Sequence, residues 1–167
     1  MKYKYTVHFI FIMLIYNNIN AQSNKWGMHA GYGVYEAFHV GVLNKIAKNN
    51  EILASIGYSY FPNNKHTFSS KIEDRYHFKF KSDYLQGIFI NAKAIYWIYN
   101  DNYFEWKTIT GSLGVGKRIE LNINSALTID LGASANFHLA HTRKNLEEAA
   151  WPRLFNFNAC IAYQFYF

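Results

Sequence analysis

The stretch from Leu154 to Phe167 constrains this chain more than any other. Phe155, Phe157, Ala159, Ile161, Tyr163, Phe165 and Phe167 share one face, while Asn156, Asn158, Cys160, Ala162 and Gln164 share the other, with Tyr166 as the exception. A period of two belongs to a β-strand with two unlike faces. No charged residue interrupts it. So long and aromatic a strand would aggregate through its edge if left open in water. Closure into a barrel removes the edge, and a barrel set in a bilayer suits this strand better than a soluble sandwich does.

Seven further segments repeat the pattern, over residues 25–34, 38–46, 51–61, 67–80, 84–98, 108–121 and 126–139. In the sixth, Ile109, Leu113, Val115, Ile119 and Leu121 oppose Thr110, Ser112, Gly114, Gly116, Arg118 and Glu120. In the seventh, Leu127, Ile129, Leu131, Ala133, Ala135, Phe137 and Leu139 oppose Thr128, Asp130, Gly132, Ser134, Asn136 and His138. The fourth is the most charged and carries Asp74 on its apolar side. Short turns fall near Ala47, Lys81 and Asn122, and mostly longer loops over 62–66, 99–107 and 141–153. An even strand number with short turns at one rim and longer loops at the other defines the expectation: an all-β, eight-stranded antiparallel up-and-down transmembrane β-barrel. Only the connection near Tyr35 breaks the alternation, by being short.

Residues 1–21 read as an export signal. Lys2 and Lys4 form a basic start, Phe9 to Tyr16 a short apolar core, and Ala21 a small residue at the cleavage position. The apolar run is well below the roughly 20 residues that span a bilayer as a helix. Cleavage would leave Gln22 first, without the cysteine of a lipid anchor, and residues 22–167 as one barrel domain. The single Cys160 excludes an intramolecular disulfide, so closure of the sheet has to hold an exported chain together. The net charge of +6 raises a nucleic-acid reading, but the basic residues are scattered and the chain is read as exported, so no nucleic-acid partner is expected. Basic residues near strand ends could meet lipid phosphates instead.

Alternation does not say which face points inward. A lipocalin-like soluble barrel in the periplasm would line a cavity with the apolar face and bind a hydrophobic ligand; a membrane barrel turns that face to lipid. Gly27, Gly31, Gly33, Gly41, Gly57, Gly114, Gly116 and Gly132 fall mostly on the polar face, where a narrow lumen needs small residues. Trp26, Tyr58, Tyr60, Tyr96, Phe165 and Phe167 lie near strand ends, where an interface girdle forms. Both favour the membrane. With its signal-like start, eight amphipathic strands and closing Tyr163-Gln164-Phe165-Tyr166-Phe167, the chain resembles the small outer-membrane β-barrel proteins of Bacteroidota-type bacteria, with an OmpA- or porin-like barrel domain. The resemblance implies an outer-membrane location in a Gram-negative envelope and outer-membrane lipid as surroundings. It also implies an assembly signal at Tyr163, Phe165 and Phe167, read by the barrel-assembly machinery. It implies no activity.

Eight strands leave a lumen that side chains just fill. Glu73, Arg75, Lys93, Arg118, Glu120 and Asp130 are expected to project into it and to pair, because an isolated buried charge is costly. A polar plug accounts for them better than a gated ion path. In size the chain also resembles the small eight-stranded lipid A deacylases, a likeness that would imply a catalytic Ser two residues after His138; the chain has Ala140 there, and Thr142 stands at the wrong spacing, so the nucleophile of a lipid-modifying barrel enzyme is missing. His138 and His141, beside Glu147 and Glu148, are three apart on a strand and would face opposite sides, a poor metal pair. The sequence thus yields no catalytic, metal or cofactor site, and its functional expectation is a barrel with a filled or narrow polar lumen in a structural or loop-mediated binding role.

Overall fold

Eight strands are hydrogen-bonded in sequence order, and the last returns to the first. The computed structural model describes residues 25–61, 65–100, 104–143 and 155–167. Its strands are β1 (Lys25–Gly33), β2 (Ala37–Lys45), β3 (Asn50–Phe61), β4 (Lys65–His77), β5 (Ile88–Asn100), β6 (Phe104–Asn122), β7 (Ser125–Arg143) and β8 (Phe155–Tyr166). Every pairing is antiparallel, and β1 meets β8 from Gly27↔Tyr166 to Gly33↔Cys160, which closes the barrel. This is the eight-stranded up-and-down architecture that the period-two pattern predicts. The export segment 1–21 lies outside the described residues.

The pleat sorts the two faces. Val40, Val42, Ile56, Ile72, Leu113, Val115, Leu131 and Ile161 are exposed, while His39, Ser55, Lys71, Ser112, Asp130 and Cys160 beside them in sequence are buried. The apolar face is the outer wall and the polar face lines the lumen, the reverse of a lipocalin-like binder. Strand register also aligns exposed aromatics around part of the wall: Tyr32 pairs with Phe38, Phe38 with Tyr58, and Tyr58 with Phe68. Direct cross-strand aromatic pairs of this kind stabilise a sheet. The rim that carries Lys25 and Phe167 also carries the β2–β3, β4–β5 and β6–β7 connections, and is called the lower rim below.

Several boundaries differ from the sequence expectation. The fourth strand ends at His77, not Phe80, and the fifth begins at Ile88, not Tyr84. A 3-10 turn over Asp83–Leu85 and Gly87 at φ 77° consume the residues between. A left-handed residue ends the preceding run, so glycine there sets where β5 can begin. The loops expected over 62–66, 99–107 and 141–153 are shorter: β4 begins at Lys65, β5 runs to Asn100, β6 begins at Phe104 and β7 runs to Arg143. Polar composition hid these extensions, since their pairing, as in Tyr99↔Trp106, is a backbone matter. The register of β6 and β7 slips between Lys107 and Thr108, skipping Leu139, which is a β-bulge.

The short β1–β2 connection, residues 34–36, turns inward. It is followed by Ala37 at φ 56°, in the left-handed region. That conformation costs a residue with a Cβ roughly 1–2 kcal/mol. Ala37→Gly is therefore predicted to stabilise the folded barrel by about 0.5 kcal/mol after the extra chain entropy of glycine is subtracted. Ala37→Val is predicted to destabilise it, because a β-branched side chain tolerates that region poorly. Urea unfolding midpoints followed by tryptophan fluorescence check both.

Candidate functional site: the charged lumen

The polar face of six strands and one hairpin converges on a network of fixed charges. Among the described residues, Lys71, Arg75, Lys93 and Arg118 meet Glu36, Glu51, Glu73 and Asp130, four cations against four carboxylates. All of these carboxylates are buried. Alternation along β4 aims Lys71, Glu73 and Arg75 inward, each one residue from an exposed neighbour, Ile72, Asp74 or Tyr76. Asp74, on the apolar side by sequence, sits on the outer wall.

Glu73 is the hub at mid-lumen. Its carboxylate accepts from the Arg75 Nε at 2.5 Å and from the Asn91 amide at 3.1 Å, and faces the Lys71 ammonium at 3.0 Å. Arg75 lies over the Phe89 ring at 4.9 Å, a cation–π contact that helps hold a fully buried guanidinium. Lys93 bridges upward: its ammonium donates to Asp130 at 2.6 Å and to Glu36 at 3.3 Å. Lys71 reaches the same Glu36 oxygen at 3.5 Å.

Glu36 belongs to the inward hairpin and acts as a stopper. Its backbone carbonyl accepts from Ser69 Oγ at 2.8 Å, so both its main chain and side chain are tied to β4. Tyr35 beside it leans on Trp97, ring centroids 6.1 Å apart. The space it fills exists because Gly33 and Gly57 lack side chains: a Cβ on the first would overlap the Glu36 carboxylate, and on the second its carbonyl. Gly116 makes room for the Phe89 ring in the same way.

A second cluster closes the lower end. Glu51 faces Arg118 at 2.7 Å and His77 at 3.1 Å, and accepts from the Tyr166 hydroxyl at 2.9 Å. The Arg118 guanidinium lies over the Tyr166 ring at 4.6 Å. Tyr166, the exception in the polar face of the last strand, is thus an inward, buried residue with a polar partner. Apolar side chains fill what charge does not: Leu43, Leu53, Phe89 and Ile95 are inward and buried.

Of the six residues expected in the lumen, Glu73, Arg75, Lys93, Arg118 and Asp130 lie in this network. Glu120 does not: its side chain is 77% exposed and only 3.9 Å contact with Arg118 relates it to the cluster. Glu120 has the inward parity, but β5 pairs β6 only as far as Lys117 and the β6–β7 register shifts just after Glu120, so no wall encloses it. Lys71 and Glu51 were missed although their parity matches the inward face, and Glu36 lies in a turn, where parity gives no signal. Tyr163, Phe165 and Phe167 are all exposed on the outer wall at the lower end of β8. His138 and His141 lie on β7 by their backbone, but their side chains and all of Glu147 and Glu148 are outside the described residues.

The network balances its own charge through ion pairs and hydrogen bonds, while both terminal nitrogens of Arg75 find no hydrogen-bond partner among the described residues; pairing of this kind braces a lumen. The chain is similar in fold to the crystal structure of the N-terminal β-barrel domain of Pseudomonas aeruginosa OprF. The TM-score is 0.58 at 16% identity, over 87% of this chain and 98% of that one. No protein-family model matches the chain, and no curated protein matches it.

Removing one member of a buried pair strands its partner and costs about 3–5 kcal/mol. Glu73→Ala is therefore predicted to lower stability by that amount, and Glu120→Ala to change it by less than about 0.5 kcal/mol. Urea unfolding of the two variants beside the parent measures the difference; similar losses in both would contradict the placement of the hub.

Proposed function

We propose that the chain is an integral barrel of the bacterial outer membrane, with a filled polar lumen and a structural or loop-mediated binding role. The observation that carries the reading is the division of the wall: a predominantly apolar exterior around an interior of paired charges. In water that exterior would drive association; in a bilayer it is the only face a sheet can offer, and closure satisfies the backbone groups that lipid cannot. The likeness in fold to the OprF barrel domain supports the same setting. In this reading residues 1–21 direct export from a Gram-negative cytoplasm and residues 22–167 form the barrel. The barrel-assembly machinery reads the outward Tyr163, Phe165 and Phe167. The lower rim faces the periplasm, as short turns do in such barrels, and the upper connections face outward.

Lumen packing argues for a structural part over conduction. Glu36 is wedged between Lys71 and Lys93, and Phe89, Leu43 and Leu53 occupy the interior below. The role in binding then falls to the upper connections.

A substitution on one of two neighbouring residues with opposite facing tests the wall. Ile129 is on the exterior, while Thr128 is buried on the lumen side and donates to the Ala162 carbonyl at 3.2 Å. Ile129→Arg is predicted to weaken insertion into lipid vesicles by about 2–4 kcal/mol, the cost of a lipid-facing charge near the midplane. Insertion yield from urea into vesicles reads the outcome, and normal insertion of the variant would refute the outward assignment.

A further inference from the structure

The exterior wall carries one charge that nothing on the wall balances. Of the charged side chains that the pleat turns outward, Glu105 meets Lys107 at 3.0 Å, and Lys117 donates to the Tyr84 carbonyl at 2.8 Å. Asp74 is exposed on the same face. Its carboxylate takes a hydrogen bond from the Arg75 backbone N–H and meets no cationic side chain among the described residues. An ionised group that faces lipid is costly, and such a residue marks a place where a partner meets it. Asp74 stands three residues above His77, the lower end of β4, so about 10 Å of strand separates it from the lower rim.

Directly above Asp74 the wall is hollowed. A groove of about 710 Å³ opens on the exterior and is lined mostly by apolar side chains, a volume within the range of small-molecule pockets. Ala54, Ser70 and Ala94 are its small residues, set among Val42, Ile56 and Ile72. Register fixes the groove against the carboxylate. Ile72, two residues up β4 on the same face, pairs with Ala54 and Ala94. Asp74 pairs with Ile52 and Ala92, the next outward residues down those two strands. Alternate residues on one face of a strand lie roughly 7 Å apart, so the carboxylate adjoins the lower end of the groove. From the lower rim toward mid-wall the order is charge first and apolar groove second. A lipid of the lower leaflet has the same order, headgroup and then acyl chain.

We infer that Asp74 and this groove form a docking site for one lipid of the lower leaflet whose headgroup ends in a primary ammonium, of the phosphatidylethanolamine class. The ammonium meets the Asp74 carboxylate, and an acyl chain lies in the groove over Ala54 and Ala94. This rests on the membrane reading above. Charge selects the headgroup: an anionic lipid is repelled, and a quaternary ammonium has no N–H to donate to the carboxylate. The groove selects a lipid over a free amine, which would use the carboxylate and leave the apolar surface bare. A second copy of the chain fits less well, because its outward cations Lys107 and Lys117 are already engaged.

The full chain, refolded into non-ionic detergent micelles, is incubated with equal amounts of phosphatidylethanolamine, phosphatidylcholine and phosphatidylglycerol, and the lipid retained is identified by native mass spectrometry. Phosphatidylethanolamine is expected to be retained preferentially, with affinity falling about five-fold in Asp74→Asn, the worth of one ion pair near a lipid surface. Ala94→Phe, which fills the groove from its exposed position, is expected to lower retention at least as much. Ala133→Phe, exposed on β7 and outside the groove, is expected to leave it unchanged. Equal retention of the three lipids, unchanged retention in either Asp74→Asn or Ala94→Phe, or displacement of the lipid by millimolar ethanolamine would each overturn the site. A lipid-free dimer lost in Asp74→Asn would overturn it too, in favour of a second copy. A wild-type chain that fails to enter bilayers would sink the membrane reading and this site with it; normal insertion without lipid preference would sink the site alone.

Discussion

The Glu73–Arg75 pair is the contact on which the rest of the interior depends. A guanidinium with no measurable exposure cannot be left without a counter-charge, and Glu73 is its nearest one. Glu73 in turn receives Lys71, and Lys71 shares Glu36 with Lys93, which reaches Asp130. The pairs therefore form a chain from β4 across β5 to β7, with the β1–β2 hairpin pulled in to complete it. Pairing on this scale is not a source of great net stability, because desolvation opposes the attraction. What it provides is registry: a strand slipped by one residue would send Lys71, Glu73 and Arg75 to the outer wall.

The same requirement explains two features that look unfavourable in isolation. Ala37 adopts a left-handed conformation, and the hairpin before it buries a carboxylate. Both follow from carrying Glu36 to the two lysines. Gly33 and Gly57 serve the same end by leaving it space. The lower end is solved differently, with Tyr166 from the last strand supplying a hydroxyl to Glu51 and a ring to Arg118. Strand closure and lumen closure thus meet in one residue.

Much of this was legible in the sequence, because the barrel's two faces have unlike chemistry and the period of two records the difference residue by residue. Strand number, order and the facing of Val115, Ile129 or Asp130 follow from it. Boundaries were less legible. Hydrophobic content says where a wall meets an apolar medium, while backbone pairing runs on through polar residues, as it does in β6 and β7 above the belt. The turn between β4 and β5 depends on Gly87 at positive φ, a local feature that alternation cannot carry. For the site, parity alone placed Asp130 and would have placed Lys71 and Glu51. It misled at Glu120, where the inward direction persists after the enclosing wall has ended. Nothing in the sequence marks Glu36, whose position is set by a turn and by partners on strands far along the chain.

The central claim is that closure of the sheet in a membrane, braced by the lumen network, holds this chain together. Electrophoretic heat modifiability of the protein expressed in a Gram-negative host, run on separated membrane and soluble fractions, tests it most directly. The account predicts protein in the outer-membrane fraction, with a compact band that shifts on boiling as the closed barrel opens. Soluble protein with no shift would contradict it and would require the apolar wall to be covered in some other way.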